Sequence, residues 1–309
     1  MFAMMACMDS AQLTVIRSAP GFFAALDQSG GSTPKALAEY GVDADRYAND
    51  DEMFDLVHAM RTRIVTSPAF DGTRVIAAIL FEQTMTRTVD GRPTGRYLWE
   101  ERHVVPFLKV DKGLADAQHG VRLMKPIDTL DDLLVEANRH RMFGTKMRSV
   151  IEDADAGGIE AIVGQQCEIA ARIAAVGLVP IIEPEVSITS PHKAEAEQLL
   201  RAALERHVAA LPADAAIMLK LTIPTVAGLY ADLAADPRVL RVLALSGGYS
   251  RTEACERLTA EPAMIASFSR ALLEGLSEKQ SDEQFHTRLA DSIAEIYAAS
   301  VDKRPAATR

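Results

Sequence analysis

A single lysine interrupts an apolar segment of the chain. Lys220 lies in the stretch 216–223, whose other residues are uncharged and mostly apolar, between Asp214 and Pro224. Such a stretch is typical of a buried parallel strand. Burial disfavours the ammonium form of a lysine, and the free amine is a nucleophile that forms Schiff bases with carbonyl substrates. The alternative interpretation is a lysine at a strand end whose side chain reaches solvent.

Polar residues of types found in active sites accompany several other apolar segments. In chain order they are Asp27, Lys109, Lys146, Arg148, Glu183, Glu185, Ser246, Gly247, Gly248 and Arg270. Carboxylates and amines can act together as general acids and bases, and cations and backbone amides can hold phosphate groups. Because the pattern recurs, we interpret Lys220 as part of an active site.

Eight apolar segments of strand length divide the chain. They span 21–26, 74–81, 104–108, 144–151, 178–182, 216–223, 239–245 and 263–268. Helix-like stretches lie between them, as at 155–176 and at 190–211, where Ser190 and Pro191 resemble an N-cap and a first-turn proline. This alternation predicts an α/β fold of the (β/α)8 TIM barrel type, with its active site at the carboxyl ends of the strands. A doubly wound open sheet is the alternative, but no glycine-rich fingerprint follows the first strand.

Length and composition agree with one catalytic domain. The 309 residues, 48% of them hydrophobic, predict a single (β/α)8 barrel domain over 1–309, with a short N-terminal extension and a C-terminal tail. No apolar run reaches the ~18 residues of a membrane span, and the net charge of −10 disfavours nucleic acid and anionic membranes as partners. Residues 1–8 lack the basic start of a signal peptide, and the three cysteines are widely spaced, which predicts a cytoplasmic protein.

The strand-end residues, in this order, resemble those of the class I (Schiff-base) fructose-bisphosphate aldolases. The resemblance runs from the first to the last predicted strand, and the run 25–35 is similar to the shorter bacterial form of that family. Three positions differ from the animal and plant pattern. Gln28 replaces a glutamate, Leu221 replaces a proline, and Ala36 lies near an arginine position that contributes secondary phosphate contacts.

The resemblance implies an activity and a set of roles. The reaction is reversible, metal-independent cleavage of fructose 1,6-bisphosphate to dihydroxyacetone phosphate and glyceraldehyde 3-phosphate in glycolysis or gluconeogenesis, with a phosphorylated sugar as partner and no cofactor. Lys220 would form the Schiff base, and Lys146 would hold positive charge beside it. Glu183, kept protonated by burial and by repulsion from Glu185, would donate the proton needed for loss of water. Asp27 would take the proton of the substrate C4 hydroxyl.

The carboxylates have plainer alternative roles. Asp27 could be a cap or turn residue, as aspartates at strand ends often are. Glu183 and Glu185 could form a solvated strand end, although both flank a proline within an otherwise apolar segment.

Two phosphate groups require two cationic sites. Ser246-Gly247-Gly248 would bring backbone amides to one phosphate, just before a helix that begins at Ser250, and Arg270 would complete this pocket. The residues assigned to the other phosphate are Lys109, Arg148, Ser29 and Ser32. Arg148 could instead be a structural partner of Glu183 or Asp111.

The sequence is also compatible with other functions. Metal-dependent cleavage would need clustered histidines, and the seven histidines show no ligand spacing at strand ends, so no metal site is predicted. A lyase for another ketose phosphate, such as tagatose 1,6-bisphosphate, is an alternative, as is a non-catalytic barrel with a binding or scaffold role. A homo-oligomer is also left open. Tyr297 lies in the helix-like stretch 293–300, and we interpret it as a packing residue.

Overall fold

Eight parallel strands form a closed barrel in the structure, a computed structural model that describes residues 9–29 and 33–304. The strands are β1 (Phe22–Leu26), β2 (Val75–Leu80), β3 (Val105–Lys109), β4 (Gly144–Ile151), β5 (Val179–Val186), β6 (Ile217–Thr222), β7 (Val239–Leu245) and β8 (Met264–Phe268). Each strand pairs with its neighbours in sequence, and β8 closes onto β1. The predicted (β/α)8 barrel is confirmed.

Alternate residues of the strands fill the inside of the barrel. Ala25, Phe107, Ile181 and Met218 belong to this interior cluster, and none of them is exposed. Side chains two residues apart in a strand point to the same face. The residue two positions after each of these four is therefore directed into the barrel as well, above the apolar interior.

Gly144 begins β4 at a point where the barrel wall leaves no room for a side chain. A Cβ atom there would lie 2.1 Å from the carbonyl oxygen of Val179 and 2.7 Å from the ring of Phe107. Only glycine fits such a close approach of two strands. Lys146 lies two residues further along the same strand, so this tight packing also fixes the height of Lys146 in the barrel.

Helices surround the sheet and bury their apolar faces against it. They are α1 (Ser10–Ser18), α2 (Thr33–Tyr40), α3 (Asp50–Val65), α4 (Glu82–Met85), α5 (Thr94–Arg96), α6 (Leu130–Arg139), α7 (Ala156–Ala175), α8 (Lys193–Ala209), α9 (Ala231–Ala235), α10 (Arg251–Thr259), α11 (Arg270–Leu273) and α12 (Asp282–Val301). Helix α1 covers the amino-terminal end of the barrel, where Ile16 packs against the interior cluster. The opposite end stays open for the site.

Both helices predicted on either side of the fifth strand are present, as α7 and α8. The predicted start of the second one is wrong. The amide of Ser190 donates to the carbonyl of Ser187 in one turn, Pro191 lies in a further turn, and α8 begins only at Lys193. The capping signal in the sequence was therefore overridden by this local turn.

The loops contain several short strands and helical segments. Thr88–Val89 and Arg92–Pro93 form an antiparallel pair, and Val121–Arg122 adds antiparallel to the outer part of β4. Tyr97–Glu101 is a short π-helical segment and Ala44–Arg46 a short 3-10 helix. Across the described ranges, no helix is both long enough and apolar enough to cross a membrane.

Candidate active site

The carboxyl ends of the strands enclose a cleft of ≈ 720 Å³, and most of the residues singled out from the sequence line it. Those lining it are Asp27, Ser29, Lys109, Lys146, Arg148, Glu183, Glu185, Lys220, Ser246, Gly247 and Arg270. Gly248 lies beside Arg270 at the edge of the cleft, and Ser32 lies outside the described residues. The barrel thus gathers side chains from all parts of the chain.

The alternation of the strands explains why these side chains meet. Asp27, Lys109, Glu183 and Lys220 each lie two residues after one of the four interior residues named above. They form a polar layer directly on top of the apolar interior. Asp27, Glu183 and Lys220 are at most 8% exposed, and electrostatic interactions between buried charges are stronger than those in water.

Lys220 is buried within this layer rather than turned towards solvent. Its side chain is 6% exposed, and its Nζ lies 2.9 Å from Oε1 of Glu183. Direct proton transfer between two groups requires such a hydrogen-bonding distance. The pair can therefore pass from ammonium and carboxylate to free amine and carboxylic acid without any other group.

Lys146 lies at the centre of the carboxylates. Its Nζ is 2.6 Å from Oδ2 of Asp27, 3.0 Å from Oε2 of Glu183 and 4.0 Å from Oδ2 of Asp111. Burial by itself lowers the pKa of Lys146, but the attraction of Asp27 and Glu183 outweighs burial and leaves this pKa raised. Lys146 is therefore a fixed positive charge and a poor nucleophile.

Asp27 is the other half of the shortest of these ion pairs. Burial raises the pKa of Asp27, but the attraction of Lys146 and Lys220 outweighs burial and leaves that pKa well below its ordinary value. Asp27 is 8% exposed, and its carboxylate is ionised at neutral pH. An ionised, buried carboxylate can accept a proton from a hydroxyl group held next to it.

Glu185 and Arg148 form a separate pair at the rim of the polar layer. Nε of Arg148 lies 2.5 Å from Oε2 of Glu185. Burial lowers the pKa of Arg148, but the attraction of Glu185 outweighs it and raises that pKa. The alternative hydrogen-bonding partners, Glu183 and Asp111, are not used. Arg148 is level with Glu183 in the β4–β5 register, so its long side chain reaches the next inward residue of β5.

This pairing changes the expectation for the glutamates. The sequence suggested that repulsion from Glu185 would help to keep Glu183 protonated. Arg148 offsets the charge of Glu185, while Glu183 faces two amines, of Lys146 and Lys220. Lys220, whose Nζ lies 2.9 Å from Glu183, can supply a proton to Glu183 directly.

Asp111 belongs to the site but was not among the predicted site residues. It is 5% exposed, and its Oδ1 lies 2.8 Å from Nζ of Lys109, which also donates to the Asp111 carbonyl at 2.7 Å. Its other carboxylate oxygen has no hydrogen-bond partner in the described part of the chain. The signal in the sequence was its position between Lys109 and Lys112, directly after a strand.

The loop after β7 has the backbone shape of an anion site. Gly247 and Gly248 have φ values of 61° and 119°, and a Cβ atom on Gly247 would lie 2.6 Å from Cγ2 of Ile188. Both positions therefore require glycine. Successive amides in such a turn point the same way and can bind phosphate oxygens. As predicted, the next helix begins here, with Ser250 capping α10.

Arg270 faces this loop from the start of α11. A Cβ atom on Gly248 would lie 3.7 Å from Nη2 of Arg270. Arg270 is exposed, and it makes no ion pair with any of the described residues, unlike Lys109 and Arg148. Its guanidinium is therefore available to a ligand.

The polar layer and the charged side chains next to it contain four carboxylates and four cations. The carboxylates are Asp27, Asp111, Glu183 and Glu185, and the cations are Lys109, Lys146, Arg148 and Lys220. These groups face one another, whereas Arg270 lines the same cleft and has no carboxylate partner among the described residues. Over residues 9–29 and 33–304, no three His, Cys, Asp or Glu side chains are grouped to hold a metal ion.

Lys146→Met is expected to lower the free energy of unfolding by about 3–5 kcal/mol near neutral pH, because it leaves buried carboxylates without a partner. The lowered pKa of Asp27 gives a contribution that is present above the ordinary aspartate pKa and is lost as pH falls. The raised pKa of Lys146 gives one that is lost as pH rises above the ordinary lysine value. The loss should therefore be largest between about pH 4 and pH 10 and shrink outside that window.

Urea unfolding at pH 3, 5 and 7 measures this dependence. Lys112→Met is the control, because the ion pair of Lys112 with Glu82 is 40% exposed on both sides and such pairs contribute at most about 1 kcal/mol. An equal loss for Lys146→Met at all three pH values would contradict the proposed charge network.

A buried amine beside a carboxylate at the strand ends of a parallel barrel is an arrangement suited to Schiff-base chemistry. A sequence model of the family described as fructose-bisphosphate aldolase class-I matches residues 9–227. A protein of Synechocystis named fructose-bisphosphate aldolase class 1 is 58% identical over 290 residues, which cover 94% of this chain and 97% of that protein. One of Clostridium acetobutylicum with the same name is 54% identical, covering 95% and 100%. The chain belongs to the class I fructose-bisphosphate aldolase family.

A solved structure supports the fold independently. The fructose-bisphosphate aldolase of Plasmodium falciparum, solved in complex with TRAP and a small-molecule inhibitor, superposes with a TM-score of 0.77 at 20% identity, covering 96% of this chain and 94% of that one. At this identity the likeness concerns the barrel alone.

Proposed function

We propose that this enzyme cleaves fructose 1,6-bisphosphate reversibly to dihydroxyacetone phosphate and glyceraldehyde 3-phosphate through a Schiff base on Lys220. The observation that carries the proposal is the amine of Lys220, buried at a strand end and 2.9 Å from Glu183. Membership of the class I family supports the same chemistry.

The first step joins the enzyme to the substrate ketone. Lys220 gives a proton to Glu183, its free amine adds to the C2 carbonyl carbon, and a proton moves from the nitrogen to the C2 oxygen to form a carbinolamine. Glu183 returns the proton to the C2 hydroxyl, which leaves as water, and an iminium remains. Lys146 stays charged throughout and orients the Glu183 carboxylate through their 3.0 Å contact.

The second step breaks the bond between C3 and C4. Asp27 accepts the proton of the C4 hydroxyl, the C4 oxygen forms the aldehyde carbonyl, and the C3–C4 electron pair moves into the iminium to give an enamine. Glyceraldehyde 3-phosphate leaves. Protonation of the enamine at C3, for which the proton taken up by Asp27 is returned, and addition of water at C2 then release dihydroxyacetone phosphate and the free amine of Lys220. The iminium supplies the electron sink that this bond cleavage requires.

Two regions of the cleft are suited to the two phosphate groups. The loop Ser246-Gly247-Gly248 with Arg270 binds the phosphate on C1, since this phosphate stays near the Schiff base in both the ketose and the triose. The phosphate on C6 lies towards Lys109 and Arg148, on the side of the cleft that Ser29 also lines. Lys109 and Arg148 each have a carboxylate partner, so they contribute fewer free donors than Arg270.

Arg270→Ala is expected to weaken the binding of fructose 1,6-bisphosphate by roughly one to two powers of ten, because it removes a charge-assisted bidentate contact of about 1.5–3 kcal/mol. The loss should be much smaller for a substrate that lacks the C1 phosphate. Equilibrium binding of both compounds measures the difference. An equal loss for both would place the C1 phosphate elsewhere.

Steady-state turnover tests the function directly. Protein dialysed against EDTA should cleave fructose 1,6-bisphosphate at an undiminished rate, because no step in this scheme uses a metal ion. Tagatose 1,6-bisphosphate, which differs at the C4 hydroxyl that Asp27 deprotonates, is the comparison substrate. Faster turnover of the tagatose compound, or activity that returns only with a divalent ion, would show the proposal to be wrong.

A further inference from the structure

Helix α3 carries a buried arginine on the face that packs against the barrel. Arg61 is 1% exposed and shares this face with Val57, Met60 and Ile64. No carboxylate of the described chain forms an ion pair with it. A buried charge without a carboxylate partner destabilises a fold unless its hydrogen bonds are well satisfied. The hydrogen bonds of Arg61 must therefore compensate for the burial of its charge, and their acceptors indicate its role.

The guanidinium of Arg61 joins two strand ends of the active site. Nη2 donates to the backbone carbonyl of Gln28 at 2.6 Å, directly after Asp27. Nη1 donates to Oγ1 of Thr84 at 2.6 Å, in the short helix that follows β2. Burial lowers the pKa of Arg61 to about 10, with the attraction of Asp27 opposing this, so the side chain is charged at neutral pH.

The side chain of Gln28 extends these hydrogen bonds to the segment that contains Arg270. Its Nε2 donates to Oγ of Ser269 at 2.6 Å, and its Oε1 lies 3.5 Å from Nη2 of Arg61. Ser269 directly precedes Arg270. A glutamate at position 28, as in the animal and plant pattern, could not donate to Ser269 in its ionised form. Gln28 therefore donates a hydrogen bond to Ser269 that an ionised glutamate could not donate.

We propose that Arg61 is a positioning residue for the C4 proton transfer. Its hydrogen bond to the carbonyl of Gln28 fixes the position of the backbone next to Asp27. The side-chain amide of Gln28 in turn connects this backbone to Ser269, the residue before Arg270. The inference rests on the proposed function and adds a residue outside the cleft to it. Proton transfer is sensitive to such placement, since a 1 Å displacement can lower a rate roughly 100-fold.

Arg61→Met and Arg61→Lys test this proposal with two readouts. The turnover number for cleavage of fructose 1,6-bisphosphate should fall roughly 10- to 100-fold in Arg61→Met. Borohydride trapping of dihydroxyacetone phosphate on Lys220 should keep its wild-type rate, because that reaction does not use Asp27. Arg61→Lys keeps the charge and can bond one of the two partners, so it should lose less. Arg61→Lys also tests the positioning role if the methionine variant does not fold.

Arg63→Met is the matched control on the same helix. Arg63 donates to the carbonyl of Gln280 and to Asp282 near α12, away from the cleft. It should lower stability without changing the ratio of cleavage to trapping. Cleavage and trapping that fall together in both Arg61 variants, or cleavage that stays at the wild-type rate, would overturn the positioning role. Wild-type protein that neither traps nor cleaves would instead contradict the proposed function.

Discussion

Replacing Lys220 with arginine is expected to abolish cleavage of fructose 1,6-bisphosphate, with a loss of roughly four powers of ten or more. Arginine keeps a positive charge beside Glu183, so the polar layer remains balanced and the barrel should fold. A guanidinium is not deprotonated in proteins and so cannot add to the C2 carbonyl. The measurement is turnover, together with a mass-spectrometric map after borohydride reduction in the presence of dihydroxyacetone phosphate.

The map should place the adduct on Lys220 in the wild-type protein and show none there in the variant. Lys303 is an internal control. It donates to the carbonyls of Leu258 and Ala299 outside the cleft, and burial lowers its pKa to about 8. If a partly neutral amine were sufficient for the reaction, Lys303 would be labelled too. An adduct found only on Lys109 or Lys146 would overturn the assignment of the nucleophile.

Asp27→Asn is expected to lower cleavage by roughly two to four powers of ten, the range of general base catalysis. The amide keeps the shape of the side chain but cannot accept the C4 proton. Schiff-base formation depends on Lys220 and Glu183, so borohydride trapping of dihydroxyacetone phosphate should persist. The two rates, measured on the same preparation, separate a lost base from a lost fold.

Two outcomes would contradict this role. Unchanged cleavage in Asp27→Asn would return Asp27 to a turn or cap residue, and Glu183 would be the next candidate for the base. Equal loss of cleavage and trapping would mean that Asp27 acts mainly through its ion pair with Lys146, whose Nζ lies 2.6 Å away. A thermal unfolding curve of the variant identifies that case, because loss of a buried partner destabilises the protein.

The sequence by itself determined the barrel and the inward direction of its polar residues. Eight buried segments alternating with helices leave few topologies, and the two-residue period of a strand fixes which side chains share a face. Asp27, Glu183 and Lys220 point into the cleft because they stand two residues beyond apolar interior residues. Gly247 and Gly248 were recognisable in the sequence as a turn, and both have positive φ values, which favour glycine.

Only the tertiary structure decided which of these charged groups are partners. Arg148 bonds Glu185 rather than Glu183, because the strand register and the length of its side chain set its reach. Neither quantity can be read from spacing along the chain. The start of α8 at Lys193 likewise depended on a turn, not on the capping pattern.

Arg61 shows the same limit most clearly. In the sequence it is one arginine in a charged amphipathic helix, 33 positions from Gln28. Its burial and its two short hydrogen bonds exist only once α3 is packed against the ends of β1 and β2. Local patterns report which face of an element is buried, but hydrogen bonds between elements depend on distances of a few tenths of an ångström that only packing sets.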